Sequence, residues 1–210
     1  MKINTFRNYK HLAKELNSSA VFAAFDTETT GLKKDNDFLL EIGAVKFDKN
    51  GIIGEPFDIL IKPPIPISQF ITEITNIDDN LVKDCGDAFS AVKDFLNFIQ
   101  NDNTFLVAHN ANFDMGFINH TLEINGLPDL KNSVIDTLTL SRWAYPDFVN
   151  EEEKGQYKLQ NLAKRFNINV EAAHRAYDDA RVCMELFKKI IDDTMDRHKD
   201  FEIDTQLSLF

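Results

Sequence analysis

The sequence predicts a three-layer α/β domain with a mixed β-sheet, and two observations carry that prediction. Short apolar segments typical of buried strands alternate with segments whose apolar residues recur at helical spacing. A turn-forming Asn50-Gly51 pair separates two of the strand-like segments, which makes those two strands an antiparallel hairpin. Strands that alternate with helices are typical of parallel pairing, so a sheet that also contains this hairpin is mixed.

The predicted sheet has five strands, each recognised from a short apolar segment bounded by polar or turn-forming residues. The first is a continuous apolar run, which is typical of a buried strand. The next two are the arms of the hairpin, and the second arm ends at Pro63, Pro64 and Pro66. In chain order the five strands are 21–25, 39–47, 52–61, 105–108 and 133–136.

Five segments have apolar residues at the spacing of an amphipathic helix, and a further helix is expected to begin at Leu138. After about Asp192 the chain becomes polar and charged, and it ends in the small apolar cluster 207–210. We therefore expect one domain over residues 1–192 and a flexible tail over 193–210. The six predicted helices cover residues 6–16, 89–99, 113–124, a segment that begins at 138, 159–166 and 176–190.

The composition fits a single acidic domain. The 210 residues are 43% hydrophobic, which is enough for a sizeable core. The formal net charge is -11, so the chain lacks the broad basic surface with which many proteins hold nucleic acid. Binding of a phosphate backbone therefore has to be confined to a local site, to depend on metal ions, or to be helped by tethering of the protein to a partner. Solubility alone is a second explanation for the excess of acids.

The sequence lacks the features of several classes of protein. The two cysteines, Cys85 and Cys183, lack the spacing of a zinc site or a disulfide framework. No apolar run approaches the ~18 residues of a membrane span, and the first residues lack the continuous apolar region of a signal peptide. We therefore expect a soluble, cytoplasmic protein without a membrane partner.

The first strand is followed directly by two acids, Asp26 and Glu28. Residues two apart in an extended chain point to the same side, so both carboxylates converge on one spot at a strand end, where α/β sheets commonly place their sites. Two such charges repel unless a cation joins them. An all-oxygen site suits a hard ion such as Mg²⁺ or Mn²⁺. Taken alone, the same pair also fits a solvated strand end.

Two further clusters are delivered to the same region. Asp114 follows the strand 105–108 near the start of a helix, and strand-to-helix connections bring residues to the same end of a sheet. His174 precedes the last long helix and Asp179 lies about one and a half turns into it. Each of these residues alone also fits a structural role, as a helix-start acid or a hydrogen-bonded histidine.

Taken together, the three clusters resemble, nearly letter for letter, the exonuclease motifs of the DEDDh family, the DnaQ-like 3′→5′ exonucleases. The first motif is FDTETTGL at 25–32, the second is HNANFD at 109–114, and the third is His174 with Asp179 five residues later. Lesser similarities lie at 41–45, 71–75 and 159–162, so the resemblance covers about 21–191.

The resemblance implies a ribonuclease H-like three-layer fold with the mixed five-stranded sheet flanked by helices. It implies that Asp26, Glu28, Asp114 and Asp179 hold two divalent ions, Mg²⁺ or Mn²⁺, and that His174 is the general base. Histidine side chains titrate near neutral pH, which suits proton transfer from water. Nucleoside 5′-monophosphates are the expected product. Asp178 is left out of the site, because neighbours on a helix point about 100° apart.

The resemblance also assigns a pocket for the terminal nucleotide to Thr29, Gly31 and Leu32. Leu32 would wedge against the last base. A fixed wedge and a few backbone contacts are blind to base sequence, as proofreading requires.

The chain ends in Gln206, Leu207, Ser208, Leu209 and Phe210. This segment resembles the short motif that docks into the bacterial replication sliding clamp, in which a Gln forms hydrogen bonds and apolar side chains fill a groove. An arbitrary apolar chain end is the alternative. Clamp docking would offset the acidic charge, because tethering raises the local concentration of the enzyme to the ~mM range.

We therefore predict a proofreading-type exonuclease that acts on single-stranded DNA 3′ ends. Because the chain contains no polymerase domain, proofreading would need a DNA polymerase catalytic subunit as partner. An RNA-trimming or oligonucleotide-degrading nuclease of the same family is one alternative. The catalytic motifs do not separate it from a DNA exonuclease, because many different residues are able to contact a 2′-hydroxyl group. A clamp-attached adaptor without catalysis is an alternative of another class.

Overall fold

The structure, a computed structural model, describes residues 11–100, 103–149 and 155–207. Its sheet is mixed, as predicted. The central strand β1 pairs antiparallel with β2 and parallel with β5, and β5 pairs parallel with β6. The spatial order is β3-β2-β1-β5-β6, with β4 also on β2. The strands are β1 (Phe22–Thr29), β2 (Leu39–Asp48), β3 (Gly51–Ile52), β4 (Phe57–Leu60), β5 (Phe105–Ala108) and β6 (Val134–Asp136).

The sheet has six strands rather than the predicted five, because the second arm of the hairpin is broken. Ile52 pairs with Phe47, whereas Phe57 pairs with Ala44. Four residues on the second arm therefore face two on β2, and the arm leaves the sheet between these pairs. Pro56, in this gap, has no backbone N–H for the ladder.

The described α-helices match the predicted ones and add two short α-helices. Helices α2 and α3 follow the three prolines, in a segment without a predicted element. Ser68 caps the first by accepting from Ile71 N–H, and Asp78 caps the second by accepting from Leu81 N–H. The helices are α1 (Leu12–Asn17), α2 (Gln69–Thr75), α3 (Asp79–Val82), α4 (Ala88–Ile99), α5 (Asn112–Ile124), α6 (Thr137–Ala144), α7 (Leu159–Phe166) and α8 (Ala176–Leu207).

Alternate residues of β1 face two different cores, which gives the predicted three layers. Phe22 and Ala24 pack with residues of α1, α6, α7 and α8 on one face. Ala23 and Phe25 pack with residues of α4 and α5 on the other. The period of two along the strand therefore assigns each helix layer to one face of the sheet.

Two predictions fall at the ends of the described chain. Phe6 and Tyr9, which open the first predicted helix, lie outside the described residues. At the other end, α8 continues beyond Asp192 as far as Leu207, so the backbone of the predicted tail is helical over 193–207. No helix in the described ranges combines the length and the apolar character needed to cross a membrane.

Candidate active site

The carboxyl end of β1 carries Asp26 and Glu28. They continue the alternation of Phe22 and Ala24, the residues that face the helix layer containing α8. Thr27, between them, is buried and donates from both its backbone N–H (3.0 Å) and its hydroxyl (2.8 Å) to Asp114 Oδ1. Strand β1 thus carries Asp26 and Glu28 and, through the hydrogen bonds of Thr27, fixes the position of Asp114.

Asp114 lies in the first turn of α5 and is only 2% exposed. The turn before the helix is held by Asp136 at the end of β6, which accepts from Asn110 N–H at 2.9 Å. Asn110 has a positive φ of 69°, so the chain reverses sharply between β5 and α5. This turn brings Asp114 over the end of β1.

The start of α8 supplies Asp179 and the turn that carries His174. Asp179 is 6% exposed and accepts from Gln160 Nε2 at 2.8 Å and from His174 N–H at 3.3 Å. The side chain of His174 is exposed, and its φ is 62°, a left-handed conformation that costs about 1–3 kcal/mol in a residue other than glycine. Glu28, His174 and Asp179 each offer a ligand atom, and these atoms lie within 4.8 Å of one another.

The electrostatics join all four predicted metal ligands into one cluster. Burial raises the pKa of Asp26 well above its usual range, and the charges of Asp114, Asp179 and Glu28 raise it further. Burial and then the charge of Asp179 raise the pKa of Glu28 to about 8. Burial also raises the pKa of Asp179 and brings that of Asp114 to about 7, against the hydrogen bonds from Thr27.

These shifts have a common physical origin. Buried carboxylates that share a small volume repel one another and lose hydration, so each holds its proton to an unusually high pH. A divalent cation among their oxygens would remove both costs. The donor set contains carboxylate oxygens and one imidazole, which fits a hard cation such as Mg²⁺ or Mn²⁺.

The end of β1 and the loop after it contain the three residues predicted to hold a nucleotide. Thr29 is buried, and its hydroxyl donates to the Gly31 carbonyl oxygen at 2.6 Å. A Cβ on Gly31 would lie 2.5 Å from the Asp37 carboxyl group, so a side chain there would displace that carboxyl group, which accepts a hydrogen bond from Lys33 N–H. Leu32 is 83% exposed, which leaves its side chain free to contact a ligand.

Asp178 is engaged away from the cluster, in keeping with its exclusion from the site. Its Oδ2 atom accepts from the N–H groups of Glu171 and Ala172, both at 2.8 Å. Its Oδ1 atom accepts from Arg181. At the chain end, Gln206 and Leu207 fall in the last turn of α8, whereas Ser208, Leu209 and Phe210 lie outside the described residues. The clamp-binding segment therefore stays a prediction.

Sequence reasoning missed residues that hold the acids in place. Thr27 lies inside the first motif, but its bond to Asp114 joins residues 87 positions apart. Gln160 lies in a segment noted only as a lesser similarity, 19 positions before Asp179. Short segments carry no signal for partners so distant along the chain.

A three-layer α/β fold with buried acids at one end of its central strand has the architecture of a nuclease. Residues 23–187 match the exonuclease family described as RNase T, and the chain belongs to that family. The resemblance to an exonuclease family, which the three motifs predicted, is thereby confirmed.

One relative is the DNA polymerase III subunit epsilon of Treponema pallidum, 46% identical over 170 residues that make up 81% of this chain and 76% of that protein. Another is the DNA polymerase III PolC-type of Caldanaerobacter subterraneus subsp. tengcongensis, 44% identical over 81% of this chain. The match spans only 12% of that second protein. The chain is thus an exonuclease domain homologous to these proteins.

Solved structures give the same fold. E. coli exonuclease I in complex with a dT13 oligonucleotide superposes with a TM-score of 0.72 over 87% of this chain and 43% of that chain. The sequence identity is 20%, so this likeness supports the fold alone. It confirms the predicted ribonuclease H-like class.

Proposed function

We propose that this protein is a 3′→5′ exonuclease that removes nucleotides from DNA 3′ ends, in replication proofreading or repair. The observation that carries the proposal is the convergence of Asp26, Glu28, Asp114 and Asp179 beside His174 at the end of β1. The similarity to DNA polymerase III subunit epsilon over most of both chains supports DNA as the substrate.

In this proposal the four carboxylates hold two divalent ions, Mg²⁺ or Mn²⁺. Such ions, when bound, lower the pKa of the attacking water and stabilise the leaving 3′-oxygen. The protein's part is to gather the carboxylates and keep them rigid. Thr27 does this for Asp114, and Gln160 does it for Asp179.

His174 is proposed as the general base. Its imidazole is exposed yet lies beside Glu28 and Asp179. It therefore has access both to a water molecule in the site and to solvent, into which it releases the proton it accepts. The product would be a nucleoside 5′-monophosphate, because the bond to the 3′-oxygen breaks.

The terminal nucleotide is proposed to bind the loop of Thr29, Gly31 and Leu32. The exposed Leu32 side chain supplies an apolar surface for the last base. The Thr29 hydroxyl donates to the Gly31 carbonyl oxygen, and this hydrogen bond fixes the shape of the loop. Binding of the terminal nucleotide by this loop therefore depends on the shape of the nucleotide more than on the identity of its base.

The acidic chain needs help to stay on DNA, since its net charge is -11. We propose that the segment 206–210 docks on a sliding clamp and that a polymerase catalytic subunit is a further partner. With these partners the protein would act in the bacterial cytoplasm. Deletion of 206–210 should abolish binding to a purified clamp and leave activity on short oligonucleotides intact. Unchanged clamp binding would rule out this role for the tail.

The first test of activity uses a 5′-labelled single-stranded DNA and an RNA of the same sequence. Each is incubated with Mg²⁺, with Mn²⁺ or with chelator. Asp26→Asn replaces one proposed metal-binding carboxyl group with an amide of nearly the same shape, and Asp94→Asn, at an exposed position on α4, is its matched control.

We expect a metal-dependent ladder on DNA that disappears in Asp26→Asn and persists in Asp94→Asn. A ladder on RNA alone would move the function to RNA trimming. No ladder on either substrate would contradict the exonuclease and favour the adaptor.

A further inference from the structure

Glu41, in β2, receives hydrogen bonds from two consecutive residues at the start of α8. Its side chain is fully buried, and it lies opposite Glu28 in the pairing of β1 with β2. The Arg175 guanidinium donates from Nε to both carboxylate oxygens at 3.0 and 3.2 Å and from Nη2 to Oε1 at 2.5 Å. Ala176 N–H donates to Oε2 at 2.9 Å. One buried carboxylate thus ties the start of α8 to the sheet.

Backbone packing supports the same attachment. A Cβ on Gly43 would lie 2.1 Å from the Tyr177 nitrogen and 2.2 Å from the Ala176 carbonyl carbon. The first turn of α8 therefore rests directly on the backbone of β2. Because the paired guanidinium and carboxylate groups also have a fixed mutual geometry, the start of the helix has one position on the sheet.

His174 immediately precedes this attached segment. Its side chain is exposed, so packing around the imidazole does not determine where the ring lies. The His174 backbone N–H donates to Asp179 Oδ2, and the next residue in the chain is Arg175. Its left-handed backbone, with a φ of 62°, persists only where the surroundings hold it. The position of the imidazole therefore depends on the attachment of Arg175.

We propose that the Glu41–Arg175 pair is a positioning device that holds the His174 turn, and with it the imidazole, beside Glu28 and Asp179. This inference rests on the proposed function, in which His174 accepts a proton from water. Arg175 is then a positioning residue that acts through His174. Loosening the pair slows the chemical step and leaves the binding of DNA and cations unchanged.

The first test is Arg175→Lys, which keeps a positive charge near Glu28 but cannot reproduce the two-nitrogen pairing. We expect kcat to fall about 10-fold or more, with KM for a single-stranded oligonucleotide and Kd for Mn²⁺ within about twofold of the original. An increase in KM at constant kcat would mean that Arg175 binds the substrate directly, and it would overturn the proposal.

Ile190→Val is the matched control for a general loss of stability. Ile190 is fully buried in α8, 14 residues beyond Ala176 and therefore about 20 Å further along the helix axis. The substitution removes one methylene from the core without touching the His174 turn. It should keep kcat, and an equal fall in both variants would remove the case for positioning.

A second comparison asks whether Arg175 acts through His174. In a His174→Ala background, adding Arg175→Lys should lower kcat by less than about twofold, because residues that act as one unit are not additive. A further loss of about 10-fold in that background would show a separate route and contradict the proposal.

The third measurement does not depend on activity. Amide hydrogen exchange of Ala176, followed by NMR in the metal-free protein, should speed up about 10-fold in Glu41→Gln relative to the amides of α4. Unchanged exchange would overturn the proposal. If the unaltered chain degrades neither DNA nor RNA, the proposed function fails and the catalytic effect fails with it, whereas the exchange rates still decide whether the pair holds the turn.

Discussion

Replacing Gly43 with alanine would add one methyl group at the point where α8 rests on the sheet. Gly43 lies on β2, between Asp26 of β1 and Asp58 of β4 in the strand pairing. The new Cβ would lie 2.1 Å from the Tyr177 nitrogen. The obstructing atoms belong to the backbone, so no side chain can rotate out of the way.

The size of the effect follows from that distance. Ordinary van der Waals contact begins near 3.4 Å, so the first turn of α8 has to move away from β2 by about 1.3 Å. Overpacking of this kind costs about 3 kcal/mol, which corresponds to a fall in Tm of roughly 6–12 °C in a chain of this length. The displaced turn carries His174 and leads to Asp179, and a misplacement of about 1 Å lowers a catalytic rate by about 100-fold.

The assay combines thermal unfolding with release of nucleotides from a labelled oligonucleotide in Mn²⁺. Gly86→Ala is the matched control, because a Cβ there meets only the Ser90 Cβ at 4.0 Å. We expect Gly86→Ala to keep the original Tm and the original rate of nucleotide release. In Gly43→Ala both the Tm and the rate should fall. A Gly43→Ala protein with unchanged Tm and rate would refute the reasoning about the contact between α8 and β2.

Three further predictions concern the acids and the loop beside them. In the folded protein the pKa values of Glu28 and Asp114 are raised to about 8 and about 7, so the folded state binds more protons and the metal-free protein loses stability as pH rises from about 4 to 8. Thermal unfolding in chelator should show this decline and Mn²⁺ should remove it; a flat profile in chelator would contradict it. Thr27→Val removes the hydroxyl that donates to Asp114, which should cost about 1 kcal/mol of stability and weaken Mn²⁺ binding in calorimetry, whereas an unchanged Kd would argue against the role given to Thr27. Leu32→Ala should leave stability within about 0.5 kcal/mol because the side chain is 83% exposed, yet raise KM for single-stranded DNA, and an unaltered KM would exclude the wedge.

The sequence was most informative where structure depends on near neighbours. The continuous apolar run 21–25 predicts the buried strand β1, and the apolar spacing predicts α4, α5, α7 and α8. Helices α2 and α3 escaped this reasoning, since each has at most two turns and depends on a single capping side chain. The break in the hairpin arm also escaped it, because an Asn-Gly turn predicts the hairpin but not how far its pairing continues.

By itself, the sequence determined the fold class and the family, and it predicted which acids and which histidine form the candidate site, because short segments with recognisable spacing carry this information. Only the tertiary structure decided what holds them. Arg175 meets Glu41 across 134 positions, and Thr27 meets Asp114 across 87. Such pairs form only when the sheet brings distant segments together, and the burial that raises the pKa values of the acids comes from the same packing.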